Sequence, residues 1–482
     1  MIYDDWTSLD LAYAHATDYL HGLRKRPVGA TAGTEELVKL LGGPMPAEPI
    51  SGTATIELLE QVVAEGGIPT ASGPRYFGYV TGGTLPVAIA ADWLVSAWDQ
   101  TASLYNLSPA IAVAEHVAAQ WILELLGLPE HASVGFPTGC TMAHLTALAA
   151  ARHKLLAELD WDVERDGLPG APRITIIGGA LRHITIDFAT RYLGFGSGNT
   201  KVVAVDDEGR MRPDALRQVL AECEGPAIVC AQIGDVNSGA IDPVGEICDI
   251  AHEYGAWVHI DGAFGLWAAA SPALRHLVSG VERADSWACD AHKWLNVPYD
   301  CGIVVVAHPE AHRAAMLNER PGYLPARTPG ERDAIEWVPD FSRRARSLPI
   351  WAVLRTLGAK GVAELVERCC ANTRRFAEGL LRIPDAELLN EVVLNQVMVR
   401  FGDDDELTRA VIDRLQHSGC CWFGGTVWYG RAAMRVSTVN WQTTEEDVDV
   451  ALAAIRAAVA DVYASDGVEL VDHPNRNEAL HS

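Results

Sequence analysis

Short apolar runs rich in β-branched residues alternate with stretches of helical spacing along most of this chain. From about residue 76 to 310 the runs are RITIIGG, TKVVAVD, AIVCAQIG, AWVHIDGA, ADSWACD and GIVVVAH. They lack polar alternation, so both faces of the strands they form must be covered. The amphipathic stretches between them therefore predict an α/β fold with a mainly parallel sheet. Ahead of this region, TATIELLEQVVAEGG (53–67) repeats apolar residues at helical spacing, and residues 1–75 read as an N-terminal helical arm. After about 309 the pattern breaks, and the Pro, Gly and charge of RPGYLPARTPGERDA predict a surface loop at about 320–340 that closes a large domain over 76–345. Helical spacing resumes in IWAVLRTLGAKGVAELVERCC. With LNQVMVRF, AAMRVSTV and TTEEDVDVALAAI it predicts a small C-terminal α+β domain over 346–470, followed by a polar tail, 471–482.

At 482 residues the chain is long enough for two or three domains. Its formal charge of −25, from 38 basic and 63 acidic residues with no basic run, makes nucleic acid and anionic membranes poor partners. The start, MIYDDWTSLD, carries acids where a signal peptide needs a basic segment. No uninterrupted apolar stretch approaches a membrane span, and a cytoplasmic location is expected. Ten cysteines include the neighbours Cys369-Cys370 and Cys420-Cys421 but none in a zinc spacing, so buried free thiols and no metal site are expected.

Four segments carry candidate chemistry. In ADSWACDAHKWLNVPYDCG (284–302), Lys293 lies between an apolar strand and an Asn-Val-Pro turn. A lysine there is poorly solvated unless its amine has a covalent or ionic task, and burial is expected to lower its pKa towards what Schiff-base chemistry needs. In AWVHIDGAFG, Asp261 ends a buried strand and calls for a cationic partner, while Ala263 leaves room for a flat ring. In SVGFPTGCTMAHLTALAAARHKLL, a strand turns through Thr138, Gly139, Cys140 and Thr141 into a long helix, where backbone amides can take phosphate; a plain capped helix has the same pattern. The fourth is His183 in ALRHITIDFATRYLG, unremarkable alone but placed in order with the other three.

The 284–302 segment resembles the lysine signature of the group II pyridoxal-5′-phosphate (PLP) dependent amino-acid decarboxylases, the family of the aromatic-L-amino-acid, glutamate, histidine and diaminobutyrate decarboxylases. PRYFGYVTGG (74–83), SPAIAVAEHVAAQWI (108–122), GDVNSGAIDP (234–243), RRARSLPIWAVLRTLG (343–358) and NWQTTEEDVD (440–449) match as well. The resemblance spans about 70 to 460. It implies a type I PLP fold with a seven-stranded mainly parallel sheet, and a homodimer with sites at the subunit interface. Lys293 would carry the cofactor as a Schiff base, Asp261 would pair with the pyridinium nitrogen, and His183 and Ala263 would lie on the two faces of the ring. Thr138, Gly139 and Cys140 match the phosphate turn, and His292 would help hold the phosphate or the lysine.

The implied reaction is decarboxylation of an L-amino acid to its amine. Trp93, Trp98, Tyr79 and Tyr105 lean towards an aromatic or bulky apolar substrate, although core packing would use the same residues. Other PLP chemistry on the same scaffold stays open: decarboxylation with oxidative deamination to an aldehyde, carbon–carbon lysis or transamination. An inactive homologue is disfavoured by the intact Lys293 and Asp261. Nucleotide binding through TGGT or GFGSG lacks the Walker lysine and the full dinucleotide fingerprint. Two departures stand out: Thr141-Met142-Ala143-His144 replaces the family's Thr-Glu-Ala-Asn, and Asp235 replaces a hydroxyl residue. The loop stretch 324–337 holds none of the tyrosines that members of the family use as a proton donor; the nearest is Tyr323, leaving Tyr323 or His183 for that task.

Overall fold

The computed structural model describes residues 6–466 except 318, 319, 321, 323, 325–327 and 329, so the polar tail and Tyr323 lie outside the described residues. In chain order the first elements are α1 (Thr7–Gly22), α2 (Thr34–Leu41), α3 (Gly52–Ala64), α4 (Pro86–Trp98), α5 (Pro109–Leu126), β1 (Ser133–Gly135), α6 (Cys140–Ala157), α7 (Val163–Asp166), β2 (Thr175–Gly179), α8 (Ile184–Tyr192), β3 (Thr200–Val203), α9 (Pro213–Ala221) and β4 (Ala227–Gln232). They are followed by α10 (Val244–Glu253), β5 (Trp257–Asp261), β6 (Ser286–Asp290), β7 (Gly302–Val306), α11 (Pro309–Met316), α12 (Ser347–Leu380), β8 (Ala386–Leu388), β9 (Gln396–Phe401), α13 (Asp405–His417), β10 (Gly424–Trp428), β11 (Arg431–Ser437) and α14 (Glu445–Asp466).

The larger of two compact units comprises Gly82–Thr373 with Asn390–Val397. Its seven-stranded sheet has the order β1-β7-β6-β5-β4-β2-β3; β7 is antiparallel to both neighbours and the remaining pairs are parallel. This is the expected type I arrangement. Every residue of β1, β2, β5, β6 and β7 is buried, as strands covered on both faces require. Helix α6 lies on this sheet through Ala143, Ala147, Ala150 and Ala151, each fully buried, and these small side chains let the helix come close to the strands. Helix α5 is long and apolar enough by composition to cross a membrane, yet it buries Glu115 against Arg343 at 2.8 Å and behaves as a core helix.

The smaller unit groups the described residues up to Thr81 with Arg374–Leu389 and those from Met398 onward. Its four-stranded sheet has the order β10-β11-β9-β8, with β8/β9 and β10/β11 antiparallel. Two expected boundaries therefore shift. The N-terminal segment does not stand alone as an arm, because Tyr76 bridges Trp422 and stacks on it at 4.9 Å, and Phe77 is buried against Phe376 and Phe423. The second boundary falls after Thr373 rather than at 345, since α12 continues past a break at Gly358 (φ 60°) with apolar residues buried on both sides of it.

The expected surface loop at about 320–340 follows helix α11, and its described C-terminal end is packed rather than exposed. Pro309–Met316 forms α11, and Ala334, Ile335 and Val338 are buried, with Asp333 accepting from the Tyr105 amide (2.7 Å) and from Arg320 (2.6 Å).

Candidate active site

Strands β1, β2, β4, β5 and β6 run in one direction, so their C-terminal ends share one edge of the sheet, where open α/β folds place ligands. Thr138, Gly139 and Cys140 follow β1, His183 follows β2, Asp261 ends β5 with Ala263 behind it, and His292 and Lys293 follow β6.

The centre of the cluster is Asp290, which the sequence did not mark. One carboxylate oxygen lies 3.1 Å from Lys293 Nζ; the other accepts from the Cys140 amide at 2.8 Å and lies 3.6 Å from His292 Nε2. Burial works against its charge, but Lys293, His292 and the Cys140 amide together hold its carboxyl below the usual carboxylate range. The lysine answers in kind. Desolvation alone would lower its pKa, yet the anions Asp290 and Asp261 and the thiol of Cys140 outweigh it, and the amine is pushed up. The expectation of a lowered lysine pKa is thus reversed, because a buried cation beside two carboxylates keeps its proton. In ACDAHK an acid three residues before the lysine was the available signal.

Glycines bring the pieces together. A Cβ on Gly302 would come within 2.6 Å of the Gly139 backbone, while the Gly302 amide donates to Pro137 O at 2.8 Å. A Cβ on Gly82 would meet the Lys293 carbonyl, so the TGG and DCG motifs keep backbone segments in contact around the lysine and the turn. His292 accepts the Cys301 amide on Nδ1 at 3.1 Å and stacks on Tyr299 at 4.3 Å. His183 caps α8, with Nδ1 2.7 Å from Thr185 Oγ1. Its amide donates to Gln232 Oε1 (3.2 Å), and Gln232 Nε2 donates to the buried Asp235 (3.2 Å). That acid, one of the two departures, closes its own turn by accepting from the Asn237 and Ser238 amides, both at 2.8 Å.

Asp261 is buried, accepts the Ala263 amide at 3.2 Å and has His144 Nε2 3.7 Å away. His144, the other departure, meets His259 at 2.9 Å. Neither histidine's pairing was legible, since a helix and a strand far apart in sequence supply them. Cys140, His144 and Asp261 also offer donor atoms within 4.8 Å of one another. Their sequence spacing gives no sign of that trio, and the ammonium of Lys293 next to it works against a metal cation. Burial, then Asp290, pushes the Cys140 thiol up.

Residues 35–401 match the family described as the pyridoxal-dependent decarboxylase conserved domain. The chain belongs to this family. It is similar to tryptophan decarboxylase 1 of Oryza sativa subsp. japonica, 29% identical with 92% of each chain covered. It is also similar to a phenylacetaldehyde synthase of a Rosa hybrid cultivar, 28% identical over 76% of this chain and 73% of the relative. The crystal structure of Oryza sativa TDC with PLP and tryptamine superposes with a TM-score of 0.88 at 25% identity, covering 94% of this chain and 97% of that one.

This decarboxylase is a carboxy-lyase that uses pyridoxal 5′-phosphate, and the residues present fit that cofactor. A partly buried amine beside a buried carboxylate and a glycine turn at the start of α6 meet at this edge, and the buried His144 Nε2, without a hydrogen-bond partner, stands next to Asp261.

Proposed function

We propose that this decarboxylase takes an L-amino acid with an aromatic side chain and releases the corresponding amine. The observation that carries the reading is the convergence of Lys293, Asp261 and the Thr138–Cys140 turn at one sheet edge. Bound pyridoxal 5′-phosphate supplies the sink for the electron pair that a departing carboxylate leaves behind. Lys293 would hold the cofactor covalently, and Asp261 would hold a proton on its pyridine nitrogen. His183 and Ala263 would flank the ring, while Thr138, Gly139, Cys140 and His292 would take the phosphate end. Because Asp290 keeps Lys293 protonated, the amine must release a proton before its nitrogen can act as a nucleophile. The relative named for tryptophan supports an aromatic substrate.

A homodimer with its sites at the subunit interface is the proposed assembly, supported by the exposed Trp93, Leu94 and Trp98 of one helix face. A reducing, cytoplasmic compartment is proposed on the strength of ten free cysteines, eight of them buried.

One observation favours a second outcome. The stretch 324–337 has no tyrosine, and without a proton donor there molecular oxygen would take the two electrons left by the departing CO₂ and become hydrogen peroxide, with water completing the conversion to aldehyde and ammonia. His183 or Tyr323 supplies the proton in the amine reading. Incubation of the PLP-loaded enzyme with tryptophan, tyrosine, phenylalanine, leucine and glutamate, in air and under argon, decides between them. Stoichiometric amine from an aromatic substrate in both gases is expected. Oxygen-dependent aldehyde would replace the amine reading, and a preference for glutamate or leucine would remove the aromatic one.

A further inference from the structure

Behind Asp261, four buried polar side chains stand in single file. Trp257 Nε1 donates to Ser286 Oγ at 2.8 Å, and Ser286 Oγ lies 2.9 Å from His259 Nδ1. His259 Nε2 lies 2.9 Å from His144 Nδ1, and His144 Nε2 is 3.7 Å from an Asp261 oxygen. The side chains come from β5, β6 and the first turns of α6; His259 and Asp261 share a face of β5, and Ser286 is paired with His259 across the sheet. None of the four is more than 2% exposed. We propose that His144, fixed in one tautomer by His259 and Ser286, is a positioning residue that directs an N–H at Asp261 and stabilises its charge opposite the cofactor's ring nitrogen.

The direction follows from counting hydrogens. Burial holds both imidazoles neutral, so each ring carries one N–H, and the two facing nitrogens have a single hydrogen between them. The tautomers are therefore locked together. Ser286 already accepts from Trp257, and His259 Nδ1 offers an acceptor for its hydroxyl hydrogen. That leaves the His259 hydrogen on Nε2, aimed at His144 Nδ1, and the His144 hydrogen on Nε2, aimed at the carboxylate.

The reverse order would let Ser286 accept from both Trp257 and His259 but leave its own hydroxyl hydrogen without an acceptor in the core, and it would turn a lone pair towards an anion. His144 Nε2 has no other hydrogen-bond partner. At 3.7 Å its contact with Asp261 is a charge–dipole interaction rather than a full hydrogen bond, and aligned hydrogen bonds behind it reinforce the dipole. Asp290, Lys293 and His183 also act on His144, but Lys293 and Asp290 are paired with each other.

This inference rests on Asp261 as the ring-nitrogen partner, and its test separates the two. Long-range proton–nitrogen NMR on protein labelled with ¹⁵N-histidine reads both tautomers directly, without turnover, with His144→Gln and His259→Gln for assignment. In the PLP-loaded protein, ¹⁵N in the pyridine ring reads its protonation. The expected result is Nε2–H on both rings, a mixed tautomer at His144 in Ser286→Ala, and incomplete ring protonation with about tenfold weaker PLP binding in His144→Leu. A wild-type His144 carrying its hydrogen on Nδ1 overturns the proposal, as does a Ser286→Ala protein with His144 unchanged. If His144→Leu does not fold, Ser286→Ala, which removes one oxygen, reads the same chain. Should Asp261→Asn leave the pyridine signal unaltered, the assignment of Asp261 fails while the tautomer result stands.

Discussion

At the scale of single residues, the partly buried Lys293 and the buried Asp290 form an ion pair that sets the proton inventory of the site. Removing the anion with Asp290→Asn should drop the lysine pKa by about 1–3 units, so covalent uptake of PLP should reach its full rate at correspondingly lower pH. The pH dependence of borohydride-fixed cofactor measures this, and an unchanged profile would show that Asp290 does not control the amine. Lys293→Ala should retain no borohydride-fixed cofactor, as peptide mapping would show. Asp261→Asn should still bind PLP but lose roughly two to four powers of ten in turnover, the counterpart of the 3–5 kcal/mol typical for removing the anion of a buried pair. Near-normal steady-state rates would remove Asp261 from its role.

Among the elements, α5 is tied to the start of α12 by Arg343, which donates to Glu115 at 2.8 Å, to Ala102 O at 2.9 Å and to Phe136 O at 3.0 Å. Ser347 adds a hydroxyl to the same carboxylate at 3.0 Å. Phe136 lies between β1 and the Thr138–Cys140 turn, so this pair also steadies the approach to the site. Arg343→Met leaves the Glu115 carboxylate in the core with only the Ser347 hydroxyl and Arg332 at 3.9 Å, and should cost about 3 kcal/mol in urea unfolding, whereas Arg343→Met with Glu115→Leu should cost less than the sum of the two single changes. Additive losses would mean that the two residues act independently. Two of the segments that resemble the decarboxylases, 108–122 and 343–358, thus owe part of their pattern to this fold-holding contact.

For the whole molecule, buried titrating groups make stability depend on pH. Burial lowers the pKa of His259 and His312 to about 3, while desolvation raises Asp242 to about 7 despite amide donors from Met211 and Gln232. A depressed histidine contributes stability that is complete above its unfolded pKa of about 6.5 and is lost as pH falls towards 3, at about 1.4 kcal/mol per unit. A raised aspartate has the opposite sign: its contribution is complete below about 3.8 and is lost as pH rises to 7. Between pH 6.5 and 3.8 each of these histidines adds about 1.4 kcal/mol per unit to the loss of stability on acidification, and Asp242 subtracts the same amount. Asp242→Asn should steepen the loss on acidification by about 1.4 kcal/mol per pH unit and His312→Gln should lessen it by the same amount, as urea midpoints at pH 7.5, 6 and 5 would show. Identical slopes in all three proteins would mean that these groups titrate alike folded and unfolded.

The sequence by itself determined the parallel sheet and the places where its chemistry begins. Unbroken apolar runs leave few alternatives to strands covered on both sides, and Lys293, Asp261 and the Thr138–Cys140 turn each sit where such a run ends. Only the tertiary structure decided which strand ends face one another. That neighbour order brings the Cys140 amide onto Asp290, sets His144 against His259 and Asp261, and reverses the expected pKa shift of Lys293. It also drew the N-terminal segment through Thr81 into one unit with the C-terminal sheet. Periodicity reports burial and direction along a few residues. The charge of a buried side chain depends on partners that a distant strand or helix supplies, and no local pattern carries that information.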